Sequence, residues 1–288
     1  MNSEKFYIAA ISAAKYLGSA RVKTLLNIFG NAQDIWNADN KEIEQAGLPD
    51  AALKSFIQFR SQNPDTPQKL MEYCEKKKVG LCSIVDDDYP TILKEIQSPP
   101  TAFFYFGKLQ PLAERIAIVG ARNNSAQGEC AALEISESLA AQGITIVSGA
   151  ARGIDTYAHT GALKRGRTVA VLGCGINFAF DTPNRELVKR IAENGVVMSV
   201  FNPSQAPTKN TFPARNKIIA GLSKGMVVVE AEEKSGSMIA SNYAVSCGRD
   251  LFAIPSSAGC NKLIRNGANP IKTADDVLNF YSQCRTPN

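Results

Sequence analysis

From Arg115 onward the chain alternates short apolar runs with helical segments, and this alternation constrains the fold more than any other feature. The apolar runs are Ile116 to Val119, Thr145 to Val147, Thr168 to Leu172, Val196 to Val200, Met226 to Val229 and Leu251 to Ile254. The first is followed by a glycine loop and a helical stretch from about Gln127 to Gln142, and the second by another glycine loop and helix. Strands that read as continuous apolar runs are buried on both faces, and strands separated by helices are joined by crossovers that leave them parallel. The expected class is α/β: an extended Rossmann-like sheet, doubly wound and mostly parallel. Ligands in such a sheet sit beyond the carboxyl ends of the strands, so function is to be sought in the loops there.

The chain before this is of a different kind. Ile8, Ile11, Ala14, Tyr16 and Leu17 fall at helical spacing, and Gly18 closes that segment. Further helices are expected over Ala20 to Phe29, ending at Gly30, then Ala32 to Trp36, Lys41 to Gln45 and, after the turn Gly47-Leu48-Pro49, Ala51 to Phe59. Residues 1–66 therefore read as a small all-α domain of the SAM or helix-hairpin-helix type. Such modules bind DNA, bind proteins or simply pack, and the pattern does not choose between these. Residues 67–288 read as the Rossmann-like domain. Its N-terminal extension, about 67–110, holds a helix from Gln68 to Lys78 and strands at Val79 to Val85 and Ala102 to Phe106. Asp86-Asp87-Asp88 lies between those strands beside Tyr89-Pro90 and reads as a solvated turn rather than a metal site.

Composition narrows the class further. Hydrophobic residues make up 44% of the 288 and charged residues 20%, enough for a sizeable core without staples. A net charge of +5 permits an anionic partner without demanding one. Cys74, Cys82, Cys130, Cys174, Cys247, Cys260 and Cys284 are scattered with no C-x-x-C pair, as expected of reduced core cysteines in a reducing compartment. Met1 to Phe6 carries no basic region of the signal-peptide kind, and no run approaches the roughly 20 apolar residues of a membrane span. The expected location is the cytoplasm, with no membrane partner.

Two loops carry the chemistry. Gly120-Ala121-Arg122-Asn123-Asn124-Ser125 joins a strand to a helix. Ser125 is placed to cap that helix, Gly120 to let the backbone approach a ligand, and Arg122 to offer a planar fork to an anion. The helix N-terminus itself suits a phosphate. The spacing of Gly120 and Gly128 does not match the dinucleotide fingerprint G-x-G-x-x-G, which weakens a redox reading. The second loop, Ser148-Gly149-Ala150-Ala151-Arg152-Gly153-Ile154-Asp155, repeats the placement and again pairs glycines with an arginine. Asp155 is expected to cap the following helix or to orient Arg152. His159, the single histidine, reads as a packed helix residue, with a general base as the sharper alternative.

The densest basic cluster is Lys209-Asn210-Thr211-Phe212-Pro213-Ala214-Arg215-Asn216-Lys217, ahead of an apolar helix expected over Ile218 to Leu222. Lys209, Arg215 and Lys217 suit phosphates, and Phe212 offers a stacking face, which together form a recipe for single-strand binding. In this reading the segment closes over a bound strand. Phe178 and Phe180 could stack on bases or pack in the core. Ser235, Gly236 and Ser237 stand at another strand-to-helix turn, where the serines cap a helix or hold an anion. Leu263 and Ile264 read as core or as a subunit contact.

Taken together, these segments resemble the bacterial DNA-processing family DprA, or Smf. The matching stretches are Ile118-Val119-Gly120-Ala121-Arg122, Ser148 to Asp155, Ala158-His159, Gly161-Ala162-Leu163, Phe212-Pro213-Ala214-Arg215-Asn216, Val229-Glu230-Ala231, Ser235-Gly236-Ser237 and Gly267-Ala268. Their order and spacing cover roughly Pro90 to Asp276. The resemblance implies binding of single-stranded DNA without sequence preference, protection of incoming strands in natural transformation, loading of the recombinase RecA, and a homodimer. It places Arg122, Lys209, Phe212 and Arg215 at DNA-contacting positions. The chain departs from the family at Ser199-Val200, at Phe180-Asp181-Thr182-Pro183 and at Pro255-Ser256, which bears on the rim rather than the fold. The winged helix that many members carry at the C-terminus is not expected here, because the chain stops soon after a helix over Ala274 to Tyr281.

The rival class is a nucleotide-binding or nucleotide-hydrolysing enzyme of the LOG type, whose Pro-Gly-Gly-x-Gly-Thr loop is missing from this sequence. Glu230 and Asp155 are the acid or base groups it would use. A third class is an interaction protein with vestigial phosphate loops. Three retained arginines, Arg122, Arg152 and Arg215, speak against it, since buried and unpaired they would be costly. With no P-loop and no His-Cys metal constellation, neither a cofactor, a metal nor an enzymatic activity is expected.

Overall fold

The computed structural model describes residues 3–181 and 183–283. Met1, Asn2, Thr182 and Cys284 lie outside these residues. The chain divides into two compact units, one of residues 1–89 and 97–106, the other of residues 90–96 and 107–288.

The first unit holds helices α1 (Glu4–Ala13), α2 (Ser19–Phe29), α3 (Ala32–Asn37), α4 (Asn40–Gln45), α5 (Asp50–Gln62) and α6 (Thr66–Lys77), with strands β1 (Gly80–Ser83) and β2 (Ala102–Gly107). The two strands pair antiparallel, Cys82 opposite Phe103. Local signals set some of the helix ends. Asn31 caps α3 by accepting from Asp34 N at 2.8 Å, and Asp39 with Glu42 forms a capping box on α4. Gly30, at φ +84°, turns the chain out of α2. The first helix, however, stops at Ala13 rather than running to Gly18. Ala14 is extended and Tyr16 takes a left-handed φ of 65°, while Gly18 caps the start of α2. The core gathers Ile8, Ile11, Val22, Leu25, Ile35, Trp36, Ile43 and Phe56.

The first unit also extends past the expected boundary at residue 66. Four consecutive residues of α1, Ile8 to Ile11, are buried, so this helix needs cover on more than one face. Helices α3 and α6 and strand β1 all pack against it, and Thr101 Oγ1 donates to Ser12 Oγ.

The second unit contains α7 (Thr91–Lys94), β3 (Arg115–Val119), α8 (Ala126–Ala141), β4 (Thr145–Gly149), α9 (Ile154–Arg165), β5 (Thr168–Val171), α10 (Arg185–Asn194) and β6 (Val196–Ser199). It continues with α11 (Thr211–Gly221), β7 (Gly225–Val228), α12 (Gly236–Ser246), β8 (Asp250–Ala253), α13 (Ala258–Arg265), β9 (Asn269–Pro270) and α14 (Ala274–Gln283). The strands lie in the order β6-β5-β4-β3-β7-β8-β9, and neighbours in this order run parallel. This is the doubly wound, Rossmann-like class expected, with the six apolar runs as strands. The seventh strand, β9, pairs only Asn269 and Pro270 with Phe252 and Ala253, and has no apolar run to announce it. On one side of the sheet, Ile116, Ile118, Ile146, Val227 and Phe252 pack with Ile135, Leu139 and Ile154. The chain reverses its direction of winding between β3 and β7, which puts the topological switch point at their carboxyl ends.

Candidate nucleic-acid interface

The loop after β3 is built around its own helix cap. Ser125 Oγ accepts from Gly128 N at 3.0 Å. The Ser125 N–H and hydroxyl both donate to the Glu230 carboxylate, at 3.0 and 2.9 Å. The N-terminus of α8, expected to be free for a phosphate, is therefore filled by a side chain from the end of β7. Gly120 also differs from expectation. A Cβ there would stand 2.6 Å from the Ile154 side chain, so glycine makes room for the neighbouring loop rather than for a ligand. Arg122 is exposed, makes no ion pair among the described residues, and places its guanidinium 5.3 Å from the centre of the Phe212 ring.

The loop after β4 turns several of its polar residues inward. Ser148 is fully buried and its hydroxyl donates to Ile118 O at 2.6 Å, so it braces two strands instead of facing a ligand. Gly153, at φ +82°, would place a Cβ 2.3 Å from Ala121 O, and this glycine lets the two loops touch. Arg152 is exposed and forms no ion pair among the described residues. Asp155 orients neither Arg152 nor the helix start. It sits 3.6 Å from Arg215 Nη1, with both side chains about nine-tenths buried. Burial pushes the Asp155 carboxyl up against the opposing pull of Arg215, and pushes Arg215 down against the pull of Asp155.

His159 is a packed residue. Its Nε2 lies 2.7 Å from Gly149 O and its Nδ1 2.6 Å from Thr168 Oγ1. A carbonyl can only accept, so Nε2 carries a proton, while the single proton of the Thr168 hydroxyl is within reach of both Nδ1 and Ile146 O, the latter at 2.8 Å. Burial lowers its pKa to about 4.

The basic cluster is not a loop ahead of a helix. Helix α11 starts at Thr211, seven residues before the expected start, and the chain from there cannot fold over a strand as a flexible flap. Pro213 lies in the first turn of this helix, where proline is tolerated because no N–H partner is lost. Lys209 remains exposed just ahead of the helix. Phe212 and Lys217 are half-buried, and Asn216 Nδ2 donates to Gly236 O at 3.2 Å. Arg215 is buried, and its Nε has no hydrogen-bond partner. Gly149 makes this possible, since a Cβ at that position would fall 1.3 Å from Arg215 Nη1. The Phe212 ring lies between the Arg122 guanidinium and Gly173, whose absent Cβ would be 2.9 Å from Cδ1. Arg122 therefore already occupies part of the surface expected to stack on a base.

Other candidates are dispersed. Ser235 precedes α12 without capping it through its side chain, its Oγ lying 3.0 Å from that of Ser237. Gly236 has open space around it and no left-handed φ. Leu263 is core, and only Ile264 of that pair is partly accessible. Phe178 and Phe180 are half-buried. Asp86 accepts from Ser83 N at 2.8 Å as part of a turn, and no group among the described residues is arranged to hold a metal ion. Cys130 is exposed rather than core.

Two adjoining clefts open at the carboxyl ends of the strands, and both are lined by Arg122, Phe212 and Arg215. The larger, about 630 Å³, reaches past the end of β7 and adds Glu230, Glu232 and Glu233. The smaller, about 340 Å³, lies over the ends of β4 and β5 and adds Arg152, Cys174, Phe178 and Asp181. One end of the edge is thus acidic and the other basic. Arg122 and Arg152 stand exposed on the basic side, so the cost of burying them unpaired does not arise; of the three arginines only Arg215 is buried, and it is paired. Glu230 is legible in Val229-Glu230-Ala231 only as a possible acid or base, because its partner Ser125 is 105 residues away.

Known proteins share this fold. A family model for DNA recombination-mediator protein A matches residues 80–282. Protein Smf of Synechocystis is 37% identical over 96% of this chain and 72% of its own length. DNA processing protein DprA of Streptococcus pneumoniae is 42% identical over 71% of this chain and 75% of its own. The X-ray structure of DprA from Streptococcus pneumoniae superposes with a TM-score of 0.78 at 33% identity, covering 96% of this chain and 97% of that one. The structure of Helicobacter pylori DprA, described for its single-stranded DNA binding mode, superposes with a TM-score of 0.65 at 26% identity over 72% of this chain and 97% of that one. Sequence and fold agree over most of the chain, and it belongs to the DNA recombination-mediator protein A family, the DprA/Smf group of DNA-processing proteins.

Proposed function

We propose that this chain binds single-stranded DNA without sequence preference and performs no covalent step. The observation that carries this reading is a set of exposed cations, Arg122, Arg152 and Lys209, none with a carboxylate partner among the described residues, on or next to the carboxyl edge of a parallel sheet. Cations left unpaired by the fold are available to phosphates, and neutralising phosphates releases condensed counterions whatever the base sequence. Arg122 is held in place by Phe212, and an ordered guanidinium forfeits less entropy on binding than a free one. Arg215 lies beside them but is buried and paired with Asp155, so the exposed arginines carry the charge on this side. The strand then lies over the ends of β4 and β5, on the basic side of the cleft. The likeness to Helicobacter pylori DprA supports the choice of a single strand as ligand. The same reading extends, by family, to protection of incoming DNA in natural transformation, to handing strands to RecA, to a homodimer in which Ile264 is a candidate contact, and to work in the cytoplasm. No helix among the described residues is long and apolar enough to cross a membrane.

The test is anisotropy of labelled poly-dT and of a matched duplex across a salt series, with wild type and Arg122→Ala. Wild type should prefer the single strand and lose affinity with salt. The variant should bind more weakly on every sequence, with a salt slope smaller by about 0.7 for each phosphate it no longer neutralises. Equal affinity and slope in the two proteins would remove Arg122 from the site, and an inert wild type at low salt would end the single-strand reading.

A further inference from the structure

A doubly wound sheet ordinarily seats a phosphate in the crevice where the strand order reverses, against the N-terminus of the helix after the first strand. In this chain that place lies between β3 and β7, at the start of α8. We infer that Glu230 is a built-in anionic ligand of this crevice, and that it selects against free nucleotides and other small phosphates. The carboxylate crosses from the end of β7 and accepts from Ser125 N at 3.0 Å and from Ser125 Oγ at 2.9 Å. Its main-chain oxygen accepts from Ala121 N at 2.8 Å. Gly128 supplies the space, since a Cβ there would stand 2.2 Å from Glu230 Oε2. From the other side, Gly153 lies against the carbonyls of Ala121 and Arg122, so the loop is pinned and cannot open a second seat by moving away.

A phosphate entering the crevice would find the Ser125 donors taken and a like charge at contact distance. Glu232 and Glu233 line the same cleft and extend the repulsion. The consequence differs with ligand size. A nucleotide carries few phosphates and depends on one good seat. A polynucleotide spreads its phosphates over several cations and does not need that seat. The inference concerns small phosphates and stands apart from the strand-binding proposal, so its probe is inorganic pyrophosphate rather than DNA.

The experiment is a pyrophosphate titration of the full chain, followed by amide resonances and by melting temperature. In wild type the amides of Ser125, Ala126, Gln127 and Gly128 should not shift. In Glu230→Ala they should, with affinity at least about tenfold above wild type, as expected on removing a like charge at close range. Pyrophosphate should also raise the Tm of that variant more than that of wild type. Glu230→Gln keeps an acceptor for Ser125 and removes only the charge, so it should fall between the two. Shifts at those amides in wild type overturn the inference, and that titration requires no variant to fold. A folded Glu230→Ala or Glu230→Gln with wild-type pyrophosphate affinity overturns it equally.

Discussion

Gly149 has no side chain, and the Arg215 guanidinium lies in the space this leaves. That single vacancy lets a cation be buried beside Asp155 at the end of β4. Breaking a buried ion pair leaves an uncompensated charge, which costs far more than the pair contributes when intact. Gly149→Ala should therefore destabilise the chain by about 3 kcal/mol or more, read by urea denaturation; a loss near that of an ordinary surface substitution would show that Arg215 has another place to go. His159 gives a second prediction at this scale. Its folded pKa, about 4, lies below the ordinary histidine value, so between these the unfolded chain binds the extra proton and stability falls as pH drops. The expected loss from this residue is about 2 kcal/mol between pH 7 and pH 5, and it should vanish in His159→Gln. Equal pH slopes in the two proteins would mean that the ring is not buried neutral.

At the scale of elements, the glycines of the helices separate two uses of the same residue. Gly161 in α9 would place a Cβ 2.1 Å from Ser136 Oγ and 2.4 Å from Leu133 O of α8, so it sets how closely these two helices approach. Gly161→Ala should cost about 1–3 kcal/mol, because backbone stands in the way and cannot yield cheaply. Gly236, at the start of α12, has nothing within 4 Å of the added atom and an ordinary φ. Gly236→Ala should stabilise by about 0.5 kcal/mol through the unfolded chain. Thermal melts of both variants check the contrast, and the same sign for both would refute it. Element starts are the least legible part of this sequence. Proline at position 213 and the polar run around it conceal the first turn of α11. Strand β9 is invisible because two residues, one a proline, carry no pattern, and it exists only as an edge on β8.

At the scale of the whole molecule, the division into units decides where the chain can be cut. Helix α6 and the β1–β2 pair belong with α1, which is apolar around most of its circumference. A chain begun at residue 67 should expose the faces that α1 covers and bind a hydrophobic dye strongly. A monomeric, dye-silent product of that cut would show that the helices before it fold apart from α6. The sheet edge shows a related division at larger scale, with carboxylates past β7 and the exposed Arg122 and Arg152 over β4 and β5. No local stretch of sequence contains this gradient, because it is made by residues from several separate crossovers.

What the sequence by itself determined follows from periodicity and local chemistry: the parallel, doubly wound sheet from its apolar runs, most helices from their spacing and a few from their caps, and the two arginine loops from their glycines. These signals lie within a few residues of one another, so they survive in one dimension. Tertiary structure alone decided which polar groups of those loops face outward. Ser148 and Arg215 look in sequence like ligands for a phosphate, yet Ser148 bonds to a neighbouring strand and Arg215 pairs with Asp155, while Arg122, Arg152 and Lys209 stay exposed. Pairing in a buried site depends on which chain segments meet across the sheet. Glu230 reaches Ser125 across 105 residues because β3 and β7 are neighbours, and strand order is set by packing rather than by any residue either strand contains.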